Sequence, residues 1–166
     1  MLNFNFIRND FMKKLDSLNQ VALFHQTFGA PVVETPSIPS KERCKLRVSL
    51  LAEELDELKA AIDDYDIVEI ADALCDLQYV LSGAVLEFGL GEKFVDLFNE
   101  VQRSNMSKAC QSLQEAEATV EHYFKKDGTV AEILEENGIW KVYRKSDNKV
   151  LKSINYSPAN LVDLLK

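Results

Sequence analysis

Apolar residues recur at Phe4, Ile7, Phe11, Leu15, Leu18 and Ala22, in steps of three and four that place them on one face of a long helix. Gly29 marks its expected end, since glycine takes the left-handed conformation that commonly closes a helix. Residues 30–40 hold three of the four prolines and no helical period, which reads as an extended loop, and Ser40 is placed to cap the next helix. That second helix is predicted from Lys41 to about Ile62, with Val48, Leu51, Leu55, Leu58 and Ile62 along one face. The cluster Asp63-Asp64-Tyr65-Asp66 breaks it, and a third helix runs from about Ile67 to Phe88, stopped by Gly89 and Gly91. Phe94, Leu97, Phe98 and Val101 continue the period in a fourth helix, and residues 111–124 read as a polar fifth.

The pattern then changes. Asn137-Gly138 is a strong hairpin signal, followed by the strand-like Ile139-Trp140-Lys141-Val142-Tyr143 and a second polar turn at Ser146-Asp147-Asn148. Two or three short antiparallel strands are expected, too few to be stable without packing against helices. Ser157 before Pro158 suits the N-cap and first position of a last short helix reaching Leu164. The predicted fold is therefore mainly α, a four- to five-helix bundle over residues 1–126, with a small C-terminal antiparallel β-ribbon and terminal helix over residues 127–166 packed on it.

At 166 residues the chain is the size of one ordinary domain. The N-terminus has no apolar run of signal-peptide type and no stretch approaches the ~18 apolar residues of a membrane span, so no membrane association is expected. Three scattered cysteines, Cys44, Cys75 and Cys110, form no disulfide framework or thiolate metal motif, which makes a reduced, cytoplasmic protein the expectation. Charge changes the picture more. The formal net charge is −8, yet from Glu53 to Asp76 there are ten acids and one lysine, a balance of −9, so the rest of the chain is nearly neutral at +1. A chain without a basic stripe is not expected to bind a nucleic-acid polymer.

That acidic window is patterned. Glu53, Glu54 and Glu57 form E-E-x-x-E, and Glu69 and Asp72 form E-x-x-D with Asp76 one turn on. At ~100° per residue, the first three make one patch in line with Leu46 and Leu50, and the second three share an arc of roughly 60° on a helix otherwise apolar almost all round. Carboxylates continuing an apolar stripe need a cation or a proton. Three readings compete: salt bridges to nearby Arg43, Lys45 and Arg47; a solvated acidic corner in which Glu69 is the capping partner of Asp66; or four carboxylates facing one another across two antiparallel helices around a divalent ion. An all-oxygen cluster suits magnesium or manganese. Only His25 and His122 are present, neither in a Glu-x-x-His context, so a di-iron bundle is not indicated. His25, between Phe24 and Phe28, reads as a core or pocket-edge residue ahead of any ligand, and His122 as a solvated one.

The paired motif resembles the signature of the all-α nucleoside triphosphate pyrophosphohydrolases, the MazG-like superfamily. Phe24-His25-Gln26-Thr27-Phe28-Gly29, Leu50-Leu51-Ala52-Glu53-Glu54-Leu55, Ala71-Asp72-Ala73-Leu74-Cys75-Asp76-Leu77, Ser104-Asn105-Met106-Ser107-Lys108 and Lys149-Val150-Leu151-Lys152 with Tyr156-Ser157-Pro158 look like its phosphoribosyl-ATP pyrophosphohydrolase-like branch. Two features depart from that branch: Gln102 stands where histidine is common, and residues 109–138 look like an insertion. The resemblance implies that Glu54, Glu57, Glu69 and Asp72 ligate Mg²⁺ (or Mn²⁺), that Asp76 supports them or binds a further ion, and that Glu53 orients or deprotonates the attacking water. It further implies that Arg103, Asn105 and Lys108 hold phosphates, with His25 at the edge of the substrate pocket. The expected activity is hydrolysis of a nucleoside triphosphate, dUTP or a non-canonical nucleotide, to monophosphate and pyrophosphate. Phosphoribosyl-ATP is the alternative substrate, and a non-catalytic nucleotide- or metal-binding helical oligomer is the alternative of another class. The family likeness and the apolar helix faces both point to a homodimer or homotetramer.

Overall fold

The computed structural model describes residues 14–166, so positions Phe4, Ile7 and Phe11 of the predicted first helix lie outside the described residues. The chain is mainly helical with one small two-stranded sheet. It divides into two compact units, one ending at Glu92 and one spanning Lys93 to Lys166. No single helix among the described residues is long and apolar enough to cross a membrane.

The first unit contains α1 (Ser17–Phe28), α2 (Lys41–Asp63) and α3 (Ile67–Glu87). Residues 14–16 are not helical, so α1 starts later than the apolar period suggests, and Gly29 closes it at φ 71°. Ser40 caps α2 by accepting from the Arg43 N–H at 3.3 Å. Asp66 caps α3, its Oδ1 accepting from the N–H groups of Val68 (2.9 Å) and Glu69 (3.2 Å). Between these helices the turn passes through Tyr65 at φ 55°, which folds α3 back antiparallel on α2. The proline loop is stitched to the end of α3 by the N–H groups of Val33 and Ser37, donating to the carbonyls of Leu86 (3.0 Å) and Phe88 (3.1 Å).

The second unit contains α4 (Phe94–Met106), α5 (Leu113–Asp127), β1 (Ala131–Glu136), β2 (Ile139–Arg144) and the short α6 (Val162–Leu165). β1 and β2 pair antiparallel from Ala131 opposite Arg144 to Glu136 opposite Ile139, joined by Asn137 and Gly138 with φ of 54° and 77°, the twist a two-residue hairpin turn requires. The hairpin does find helical cover: Cys110, Ala116, Val142 and Leu151 form a buried core shared with Val120, Tyr123 and Trp140, so α5 belongs with the ribbon. In place of a third strand there are two isolated bridges, Cys110 with Trp140 and Tyr143 with Val150. The last helix is shorter than Ser157-Pro158 suggests. The backbone of residues 157–160 bonds to side chains of the α4 region instead, through Ser107 Oγ to the Ser157 N–H (3.0 Å), Arg103 to the Pro158 carbonyl (3.0 Å) and Glu100 to the Asn160 N–H (2.8 Å).

Gly89 is a close-approach position. A Cβ there would stand 2.0 Å from the Thr35 carbonyl oxygen at φ +69°, whereas at Gly29, with a similar φ of +71°, it would meet nothing within 4 Å. Gly29→Ala should therefore cost only the left-handed penalty of about 1–2 kcal/mol. Gly89→Ala should cost clearly more, because the proline loop has to move as well. Urea denaturation of the two variants beside the parent measures the difference.

Candidate active site

α2 and α3 run antiparallel, and their register is set at the end far from the acidic turn. Glu87 is buried to 1% exposure and accepts from both Arg43 and Arg47, with Arg43 Nε at 3.1 Å from its Oε2. Burial pushes the Glu87 carboxyl up, but the hydrogen bonds and charges of the two arginines outweigh it and hold it below the usual carboxylate range. Arg47 also donates to His25 Nε2 at 3.1 Å, which puts the imidazole proton on Nδ1, 2.7 Å from the Pro31 carbonyl. His25 is 3% exposed with both nitrogens engaged, so this geometry supports the core reading and leaves no ring atom for a substrate. Gly83 makes room for the knot: a Cβ there would lie 2.6 Å from Arg47 Nη1.

Going inward from that knot toward the turn, the antiparallel register brings Glu54 of α2 beside Asp76 of α3. The Glu54 carboxyl is raised above its usual range, first by desolvation and then by the charges of Asp76, Glu57, Glu53 and Asp72. Its Oε2 is buried and, among the described residues, has no hydrogen-bond partner. Glu53, Glu57 and Asp72 are exposed, while Glu54 and Asp76 are half-buried. Among the described residues, no three of these side chains converge as a ready-made metal cluster. Glu69 stands apart in the capped first turn of α3, exposed, and is not among the charges acting on Glu54. Asp76 is thus nearer the centre of the patch than the spacing of the sequence motif suggests.

The cations that a salt-bridge explanation needs are elsewhere. Arg43 and Arg47 are committed to Glu87, and Lys59 pairs with exposed Asp56 at 2.7 Å. Among the described residues no ion pair reaches Glu53, Glu54, Glu57, Glu69, Asp72 or Asp76. Five carboxylates on two packed helices, with a buried oxygen lacking any donor, make an all-oxygen donor set that fits a hard divalent cation. The signal for Glu87 was present in the sequence as one acid inside the apolar end of α3, though the sequence does not say that the arginines of α2 reach it.

The other predicted residues lie in the second unit. Arg103 is held by Glu100 through Nε (2.7 Å) and Nη2 (2.8 Å), a pairing that lowers the Glu100 carboxyl to about 2. The Lys108 ammonium donates to Asn105 Oδ1 at 2.8 Å. His122 is exposed and packs edge-on against Tyr123, as a solvated residue would.

The same chemical change at two glutamates should have opposite effects. Glu87→Gln leaves the buried Arg47 and the half-buried Arg43 without their counter-charge and should cost about 3–5 kcal/mol at neutral pH. Glu54→Gln removes one of several crowded like charges and should raise the melting temperature in metal-free buffer. The pH dependences carry the same signs. The Glu87 contribution is present above the ordinary glutamate pKa and is lost as pH falls through its lowered value, whereas the Glu54 cost is present above its raised value and vanishes as pH falls to the ordinary one. Thermal unfolding in EDTA from about pH 2 to about pH 8, a range reaching well below the ordinary glutamate pKa of about 4.3, checks both.

Residues 21–105, just over half of the chain, match the family profile of phosphoribosyl-ATP pyrophosphohydrolase. An uncharacterized protein of Acanthamoeba polyphaga mimivirus is 24% identical, across 93% of this chain and 97% of the viral protein, so that likeness runs on into the second unit. The matched span contains the whole α2–α3 pair with its carboxylates and the Arg43–Arg47–Glu87 knot, and on these grounds the chain belongs to the phosphoribosyl-ATP pyrophosphohydrolase family of the MazG-like all-α nucleoside triphosphate pyrophosphohydrolases.

Proposed function

We propose that the chain is a magnesium-dependent pyrophosphohydrolase that cleaves a nucleoside triphosphate, dUTP or a non-canonical nucleotide, between its α and β phosphates. The observation that carries this reading is Glu54: a buried carboxylate oxygen with no donor among the described residues, beside four further acids, with Arg43 and Arg47 engaged by Glu87. Glu54, Glu57, Asp72 and Asp76 would hold the ion, with Glu69 joining from the first turn of α3. When bound, the ion supplies positive charge against the phosphate oxygens and lowers the pKa of water. Glu53, exposed and next to Glu54, would orient a water molecule and take its proton as the oxygen adds to the α-phosphorus and pyrophosphate leaves. Arg103, Asn105 and Lys108 are the proposed phosphate-holding groups, and a phosphate would have to displace Glu100 from Arg103 to engage it.

The family match itself favours phosphoribosyl-ATP as the alternative substrate, because the same bond type is broken. We also propose that the protein works as a homodimer or homotetramer. Ile67, Val68 and Leu74 of α3 are 73%, 69% and 51% exposed in the single chain, although the sequence of this helix is that of a buried one. Val48, Leu55 and Ile62 of α2 are exposed as well.

Pyrophosphate release, screened over canonical, deoxy and modified triphosphates and phosphoribosyl-ATP, tests the activity and separates an enzyme from a silent binder. In ¹⁸O water the label should enter the monophosphate; label in inorganic phosphate would indicate cleavage at the γ position. Glu57→Gln should remove most of the Mg²⁺-dependent rise in melting temperature and lower turnover by at least about 100-fold, the rate equivalent of several kcal/mol of lost charge stabilisation. A Glu57→Gln protein with parental turnover, alongside a parent insensitive to Mg²⁺, would reject the metal site. Light scattering should report a particle larger than the 18.8 kDa chain.

A further inference from the structure

β1 lies within residues 109–138, the stretch that departs from the family branch, and beyond the residues matched by the family profile. Its hydrogen bonding leaves one side open. The two-residue turn makes Glu136 and Ile139 the closing pair, so bonded pairs alternate along the register: Glu136 with Ile139, Leu134 with Lys141, Glu132 with Tyr143. The Lys145 N–H, donating to the Val130 carbonyl at 3.0 Å, continues that alternation. The backbone groups of Ala131, Ile133 and Glu135 therefore point away from β2. β2 itself has neighbours on its far side. Trp140 exchanges two bonds with Cys110 (2.8 and 3.2 Å), the Val142 carbonyl accepts from the Leu151 N–H (2.8 Å), and the Arg144 N–H donates to the Lys149 carbonyl (2.9 Å). Among the described residues no strand or bridge flanks β1 on its outer side, so those N–H and C=O groups form an open edge.

The side chains along that edge define what can join it. Ala131 and Ile133 pack toward the buried core, so Glu132, Leu134 and Glu136 share the opposite face, and all three are exposed. Glu136 is met by Lys141 of β2 (2.5 Å), and Glu135 accepts from the Gly138 N–H (2.6 Å). Arg144, opposite Ala131, is taken by Asp147 at 3.0 Å, and among the described residues Glu132 has no ion pair. Pairing this edge with the same edge of a second copy would bring Glu132, Glu135 and Glu136 of each onto adjacent strands, where like charges destabilise. An extended segment with a cation, an apolar residue and a cation at alternate positions meets Glu132, Leu134 and Glu136 in turn, in either strand direction.

We propose that the open edge of β1 is a docking site for an extended basic segment of a partner protein, which joins the ribbon as a further strand through Ala131, Ile133 and Glu135. Backbone bonds hold the segment, and the glutamates select its charge. The test is NMR titration of the full chain, at low ionic strength, with the blocked peptide Lys-Thr-Ile-Thr-Lys-Thr and with its counterpart carrying glutamates in place of the lysines. Saturable shifts of the Ala131, Ile133 and Glu135 amides, and slower hydrogen exchange there, are expected with the basic peptide. The acidic peptide should bind at least about tenfold more weakly, and Glu132→Lys should weaken the basic peptide by about tenfold, the scale of a cross-strand attraction turned into a repulsion. The Glu132 side chain is exposed, so folding should be preserved, and circular dichroism verifies that. Glu135→Pro removes an outward N–H and leaves the bonds between β1 and β2 in place, so it should weaken binding by a similar factor. Absence of saturable binding, equal affinity for the two peptides, or parental affinity in Glu132→Lys would each overturn the proposal. Slow exchange of the three amides in the protein alone would overturn it too, since residues 1–13 or a second copy would then already cover the edge.

Discussion

A carboxylate taken almost completely out of water, as Glu87 is, stands only if cations accompany it, and the first two turns of α2 supply two. Arg43 and Arg47 reach the last residue of α3 from successive turns, so the helix pair cannot slide without stripping a buried charge of its partners. Arg47 extends the constraint to α1 through His25, and His25 extends it to the proline loop through the Pro31 carbonyl. Gly83 and Gly89 are what this packing demands of the backbone: one leaves space for a guanidinium, the other for the Thr35 carbonyl. The register of the whole first unit depends on a single buried ion cluster.

That register decides the chemistry at the other end of the pair. With the arginines drawn to Glu87, the acids of the middle of α2 and α3 face one another without compensation, and Glu54 carries the consequence as a raised pKa and an oxygen lacking a donor. Segregating the cations from the acids along one helix hairpin is a physical arrangement that suits an external cation.

The second unit solves a different problem. A two-stranded ribbon buries too little on its own, and here it gains a core by packing on α5, with Val142 and Ala116 fully enclosed. The same arrangement lays residues 149–151 along β2, so one set of backbone bonds brings Leu151 into the core and leaves β1 as the open edge of the ribbon.

Much of this was legible in the sequence. Helix periods, the Ser40 and Asp66 caps, the Asn137-Gly138 turn and the acidic window are local features, each fixed by residues within a few positions of one another, and local physics suffices to read them. The alignment of Glu53, Glu54 and Glu57 on one face of α2, and of Glu69, Asp72 and Asp76 on one face of α3, was legible for the same reason, as helix geometry alone sets it. Tertiary structure decided what depends on distant partners. It gave Arg43 and Arg47 to Glu87 across about forty residues, engaged both nitrogens of His25, and moved Asp76 ahead of Glu69 in its influence on Glu54. It also cut short the last helix, because side chains of the α4 region outcompete helical bonds for the backbone of residues 157–160. Spacing reports which face a side chain occupies, whereas the energy of a buried charge depends on what lies opposite, and only the folded chain determines that.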